Sequence, residues 1–353
     1  MLTQTVVRLV LAVVLVSGSA AVAAAQGASR WFLAEGASNG TFDEDILVGN
    51  PSAGTLSVMV RLLPAADAVL TGSNPRTFTL PGTGRLTVNL AREFPGLNGA
   101  ASAEVSAVVQ GTTSPADIVV ERSMFFPRTG AGAYAGGTGA SGVIAPATRW
   151  ILAEGSGGVF ETFILLVNPG QSPVQATVRY LRGNGTTLSE VVTVPASGRT
   201  TLWPTAAGPL DAEGFSTVVE ADGPIVAERA MYFDPAPGAF ARSGHAALGV
   251  TSARPAWYFA EGFTGGNATI AFETFLLIGN DNPQPATVTA TFYRDGAAPL
   301  SKTYTVLPRS RFNVWTDQER AGDGTLLLPS TAFSVKLESD LPIVAERAMY
   351  WGT

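Results

Sequence analysis

Cysteine is absent from the 353 residues, and histidine occurs once, at His245. The first absence excludes disulfides, thiol chemistry, lipid attachment through a thiol and thiolate metal sites. The second leaves a single imidazole, so a nucleophile–His–acid arrangement or a histidine-based metal site has almost nothing to draw on. Charge is also scarce. Asp, Glu, Lys and Arg make up 14% of the chain, with 22 basic against 28 acidic residues and a formal net charge of −6. No basic block occurs, which makes nucleic acid and anionic membrane surfaces poor partners. Sustained helical periodicity is missing as well. After the first 25 residues no run approaches the roughly 20 apolar residues that a membrane helix needs. No catalytic residue, cofactor or metal is therefore expected, and no membrane insertion once the leader is removed.

What is present is apolar and rich in turns. Hydrophobic residues are 46% of the chain, with 39 Gly and 23 Pro. That mixture suits many short strands joined by tight turns and does not suit disorder. Residues 1–25 read as a secretory signal peptide: Arg8 gives a weakly basic start, an apolar stretch covers 9–16, and Ala23-Ala24-Ala25 precedes Gln26. The protein is expected to be exported, to the extracellular space, the cell surface or the periplasm.

One sentence of sequence occurs three times. It is Ile118-Val119-Val120-Glu121-Arg122-Ser123-Met124-Phe125-Phe126, then Ile225-Val226-Ala227-Glu228-Arg229-Ala230-Met231-Tyr232-Phe233, then the copy from Ile343 to Trp351. Each closes a unit that opens with Trp and Ala-Glu-Gly, at Trp31 and Glu35, Trp150 and Glu154, and Trp257 and Glu261. A fixed period of this kind sets the architecture. It divides the chain into residues 26–145, 146–252 and 253–353.

The second copy is the plainest. Phe160 to Val167 is apolar on both alternating faces, Ala176, Val178 and Tyr180 alternate with Thr177 and Arg179, and Gly183-Asn184-Gly185 supplies a hairpin turn. Repeat one departs most. Asp45 stands where the others have Phe163 and Phe275, and a longer segment through 65–75 replaces the hairpin. The glycine-rich tract 129–142 reads as a flexible loop or linker. Regularly spaced strands without helices predict an all-β chain of three tandem antiparallel β-sandwich domains, about eight strands each. The short runs 140–144 and 246–250 are expected to be the last strand of the unit before them, because a hairpin back is the shorter connection. Repeat three has no such run before the sequence ends at Thr353.

The combination Trp-x-x-Ala-Glu-Gly, Phe-Glu-Thr-Phe and Val-Ala-Glu-Arg-Ala-Met-Tyr resembles a family of secreted bacterial β-sandwich repeats, over nearly all of residues 30–353. More remotely, the Trp…Glu-Gly opening and Glu338-Ser339-Asp340-Leu341-Pro342-Ile343-Val344 are similar to the small β-sandwich of sensory rhodopsin transducer proteins. Neither resemblance supplies a catalytic residue. The first implies a cell-surface or extracellular location.

Three sets of residues invite a functional reading. Carboxylates recur at Glu35, Glu154 and Glu261, at Asp43, Glu161 and Glu273, and at Glu121, Glu228 and Glu346. Paired acids across a cleft serve glycoside hydrolysis, but every unit must fold and only one need react, and arginines recur beside them. Structural ion pairs are expected, Glu154 with Arg229 in particular. Asp43-Glu44-Asp45 resembles calcium chemistry in composition, although neighbours on a strand point to opposite faces. Trp31, Trp150 and Trp257 recur as core anchors. Trp203 and Trp315 have Asn89 as their counterpart in repeat one, which makes them the candidate ligand-binding aromatics. The function expected is a non-enzymatic structural or adhesion module at the cell surface. The alternative is glycan binding through Trp203 and Trp315. Surface polysaccharide, or another protein chain paired to a sheet edge, are the partners to consider.

Overall fold

The computed structural model describes residues 27–130, 133–233, 243–267 and 270–352; the leader lies outside them. The chain is all-β, built from antiparallel sheets in the order of the three repeats. Among the described residues no helix is long and apolar enough to cross a membrane.

Repeat two shows the plan. Its strands are Ala147–Leu152, Phe160–Asn168, Val174–Arg182, Thr187–Val194, Gly198–Leu202, Phe215–Phe233 and Ser243–Leu248. Phe215–Phe233 belongs to both layers of the sandwich. Its first part pairs with Val174–Arg182 and Ala147–Leu152, and its second part with Phe160–Asn168 and Ser243–Leu248. The sequence suggests two separate strands here. The structure runs them together, with exposed Pro224 where the chain crosses between layers. Proline lacks a ladder donor and is tolerated where pairing changes partners. Ser334–Gly352 does the same in repeat three, whereas repeat one divides the path into Leu97–Val109 and Val119–Gly130.

Two strands settle the ownership of the inter-repeat runs. Ala133–Ser141 pairs with Val119–Gly130, and Ser243–Leu248 with Phe215–Phe233, so each belongs to the unit before it. Val143 and Val250 then bridge to Phe32 and Ile151 in the opposite layer of the same unit. The described part of the glycine-rich tract is thus a strand, not a linker. Its glycines answer a contact: a Cβ on Gly137 would lie 2.8 Å from the Met124 carbonyl oxygen.

The sandwiches are stacked through their sheet faces. Phe32, Ala34 and Leu63 of repeat one share a core with Leu165, Val226 and Ala230 of repeat two. Ile151, Leu181 and Val218 of repeat two pack in the same way on Leu277, Val344 and Ala348 of repeat three. This explains why Phe160 to Val167 is apolar on both faces. A sandwich strand ordinarily keeps one face for solvent, and here the previous repeat covers it.

Candidate functional site at the repeat joints

The recurring tryptophans are anchors. The indole nitrogens of Trp31, Trp150 and Trp257 donate to the carbonyl oxygens of Ile118, Ile225 and Ile343, at 2.9, 2.8 and 2.9 Å. Each ties the opening strand of its unit to the start of the Glu-Arg strand.

The expected pair is present: Arg229 Nη1 donates to Glu154 Oε2 at 2.6 Å, with both side chains buried. The partner that sequence reasoning missed comes from the next repeat. Glu346 Oε2 accepts from Arg229 Nη2 at 3.2 Å, and its Oε1 accepts from the Ala153 backbone N–H at 3.0 Å. The joint between repeats one and two has the same design. Glu228 accepts from Arg122 Nη2 at 2.7 Å and Nη1 at 3.3 Å, and from the backbone N–H groups of Ala34 and Glu35 at 3.1 and 2.9 Å. Glu35 itself lies 3.6 Å from Arg122. A buried carboxylate needs its acceptor sites filled, and here the preceding repeat fills them. Tyrosine follows: Tyr232 donates to Glu35, and Tyr350 to Glu154 at 3.2 Å.

Each joint also carries one extra titratable group. At the first it is Glu44, which takes the place of Thr162 and Thr274 in the pairing register. Its Oε2 accepts from the Ala37 N–H at 2.9 Å. Burial drives its pKa up to about 8, against the pull of Arg122. At the second joint it is His245, whose Nε2 lies 3.4 Å from Glu154 Oε2. Burial, and then the Arg229 guanidinium, push it down to about 4. His245 sits in a strand, opposite Met231.

Electrostatics separate the two acids of the opening motif. Burial outweighs Arg122 at Glu35 and raises its pKa. At Glu154 burial also works upward, but Arg229, His245 and Arg311 together prevail and lower it. In repeat three the same pair is open: Arg347 and Glu261 are 3.6 Å apart with side chains 28% and 67% exposed.

A cleft of about 500 Å³ opens at the first joint, lined by Glu35, Phe42, Met124, Phe163, Arg199 and Tyr232. Of the buried acids there, it reaches Glu35 alone. Glu44 and Glu228 lie off its lining, and the other carboxylate on it is the exposed Asp67. Arg199 donates to the Gly36 carbonyl oxygen at 2.7 Å.

Trp203 and Trp315 stay 48% and 38% exposed, and lean on Phe163 and Phe275 with ring centroids 5.3 and 5.5 Å apart. In repeat one both partners change together. Asn89 donates to Asp45 at 2.9 Å and to Asp43 at 3.1 Å. Glu44 points to the opposite, buried face, so the three consecutive acids do not converge.

No family model matches this chain, and no curated protein does. Among solved structures that are weakly similar are two small proteins. The Anabaena sensory rhodopsin transducer is 23% identical, covers 27% of this chain and 96% of its own, and has a TM-score of 0.23. Thermotoga maritima 1070 is 15% identical, covers 30% and 94%, and has a TM-score of 0.27.

Proposed function

We propose that the chain is an exported, non-enzymatic scaffold, a structural or adhesion module of the cell surface or extracellular space. The observation that carries this reading is the consumption of Glu35, Glu154, Glu228 and Glu346, with Arg122 and Arg229, by the joints. Glu228 and Glu346 each complete a buried site on the repeat before them. Groups so satisfied are held for shape rather than released for proton transfer. Fractionation of the source cells, with protease accessibility on intact cells, tests the placement. Recovery of the protein only inside the cytoplasmic membrane would overturn it.

Glycan binding is the second reading, favoured by the exposure of Trp203 and Trp315 on equivalent positions of neighbouring repeats. Two weak sites on one chain would gain by avidity. A glycan array with the full chain and with a Trp203→Ala, Trp315→Ala double variant separates the readings. A signal lost in the double variant supports glycan binding, and no signal in either leaves the scaffold alone.

A further inference from the structure

The cleft at the first joint holds a cation that the joint leaves unpaired. Arg199 lines it and is 5% exposed. Its Nε donates to Thr201 Oγ1 at 3.0 Å and its Nη1 to the Gly36 carbonyl oxygen at 2.7 Å. Among the described residues Nη2 has no hydrogen-bond partner, and no carboxylate is in ion-pair contact with the guanidinium. Burial draws its pKa down, and Glu35 and Glu44 oppose this from a distance. Arg122 and Arg229 differ, since each holds a carboxylate directly. A buried guanidinium is costly to hold unless its charge is met and its donors are filled.

The rest of the cleft is largely apolar and is built by both repeats. Tyr232 meets Phe42 of repeat one and Phe163 of repeat two edge-on, with ring centroids 5.5 and 5.9 Å away. Met124 and Leu165 continue this wall. The longer segment of repeat one adds residues 65–67: Ala65 bridges in parallel to Arg199, and Ala66 and Asp67 are exposed. A space of about 500 Å³, apolar with a few polar groups converging on it, is the form that small-molecule sites take. The second joint is built otherwise. There the 183–185 turn replaces the longer segment, and Arg311 lies against Gly214, where no Cβ would fit. The smaller cleft beside it carries Phe312 in place of three rings.

We propose that this cleft binds a small monocarboxylate with an aromatic or alicyclic body, the carboxylate on Arg199 and the body against Phe42, Phe163 and Tyr232. A carboxylate offers a guanidinium two acceptors and the missing charge. A second negative charge on the ligand is disfavoured, because Glu35 and Asp67 border the same space. The ligand would touch both repeats and so fasten the joint further. The proposal stands beside the scaffold reading and does not rest on it.

The test titrates the full chain calorimetrically with phenylacetate, cyclohexanecarboxylate, methyl phenylacetate and glucuronate. One or both apolar acids are expected to bind saturably at a single site, and the tighter of the two identifies the body. The methyl ester is expected to bind at least about tenfold more weakly than phenylacetate, a charge-assisted hydrogen bond being lost. Hydrogen exchange is expected to show new protection within 65–67 and 199–201. Arg199→Gln should erase the preference for acid over ester. Ala66→Trp, at an exposed wall position, should abolish binding with the unfolding transition unchanged, and it keeps the test independent of whether Arg199→Gln folds. Absence of saturable binding up to millimolar concentration would overturn the proposal, as would equal binding of acid and ester. So would tighter binding of glucuronate than of either apolar acid, or undiminished binding to Ala66→Trp.

Discussion

The two joints are built alike and titrate in opposite directions. At the first, Glu35, Glu44 and Glu228 surround Arg122 and Arg199. At the second, Glu154 and Glu346 surround Arg229 and Arg311, with His245 beside them. One joint has an acid too many for its arginines and the other a base too many. Each keeps its extra group uncharged at neutral pH: Glu44 holds its proton up to about pH 8, and His245 stays unprotonated down to about pH 4. The difference teaches that a buried joint accommodates an extra ionisable group by keeping it uncharged, whether that group is an acid or a base.

The comparison breaks most visibly at the arginines. Arg122→Ala and Arg229→Ala each strand a buried carboxylate and should cost about 3–5 kcal/mol in denaturant unfolding. Arg347→Ala, at the open end, should cost below about 1 kcal/mol, because its partner is largely exposed. Similar losses in all three would mean that burial at the joints is not what matters.

The pH responses sharpen the contrast. Glu44 has a folded pKa above its unfolded value near 4.5, so the folded state holds the extra proton between there and about pH 8. Its contribution is full below pH 4.5 and is lost as pH rises through 8. His245 has a folded pKa below its unfolded value near 6.5. Its contribution is full above pH 6.5 and is lost as pH falls toward 4. Glu44→Gln should remove a fall in stability between about pH 4.5 and 8. His245→Thr, which installs the residue of repeat one, should remove a rise between about pH 4 and 6.5. Melting curves from pH 4 to 9 check both.

A smaller effect is expected at the aromatic pairs. Trp203→Ala removes a ring that leans on Phe163 while remaining half exposed, and should lower stability by about 1 kcal/mol. A loss several times larger would show that Trp203 is a core residue.

Much of this was legible in the sequence. The period, the all-β class and the indole anchors followed from motif and alternation. The Glu154–Arg229 pair followed from the apolar company of Arg229 on its face of the strand. The inter-repeat carboxylate is signalled only indirectly, by the face that Glu228 shares with Val226, Ala230 and Tyr232. That face is as apolar as the one bearing Arg229, and two apolar faces on one strand signal a third layer. Repeat three's outer sheet carries the complementary message. Tyr258, Lys336 and Tyr293 stand in register where repeat two has Ile151, Val218 and Leu181, and the tyrosines are 70% and 42% exposed. At the other end Asp45 and Asn89 replace a Phe–Trp pair. Both outer faces of the stack are thus more polar than the faces buried at the joints. The protonation of Glu44 was not readable at all, since it depends on burial inside the sandwich beside Gly36 and Ala37.

That a glutamate of one repeat completes the arginine site of the repeat before it is tested most directly by a double-mutant cycle. Arg122→Ala, Glu228→Gln and the double variant would be compared with the parent in equilibrium unfolding. A coupling energy of about 2 kcal/mol or more is expected for a desolvated pair in contact. Additive losses, with coupling within about 0.5 kcal/mol of zero, would contradict the claim that this pair joins the repeats.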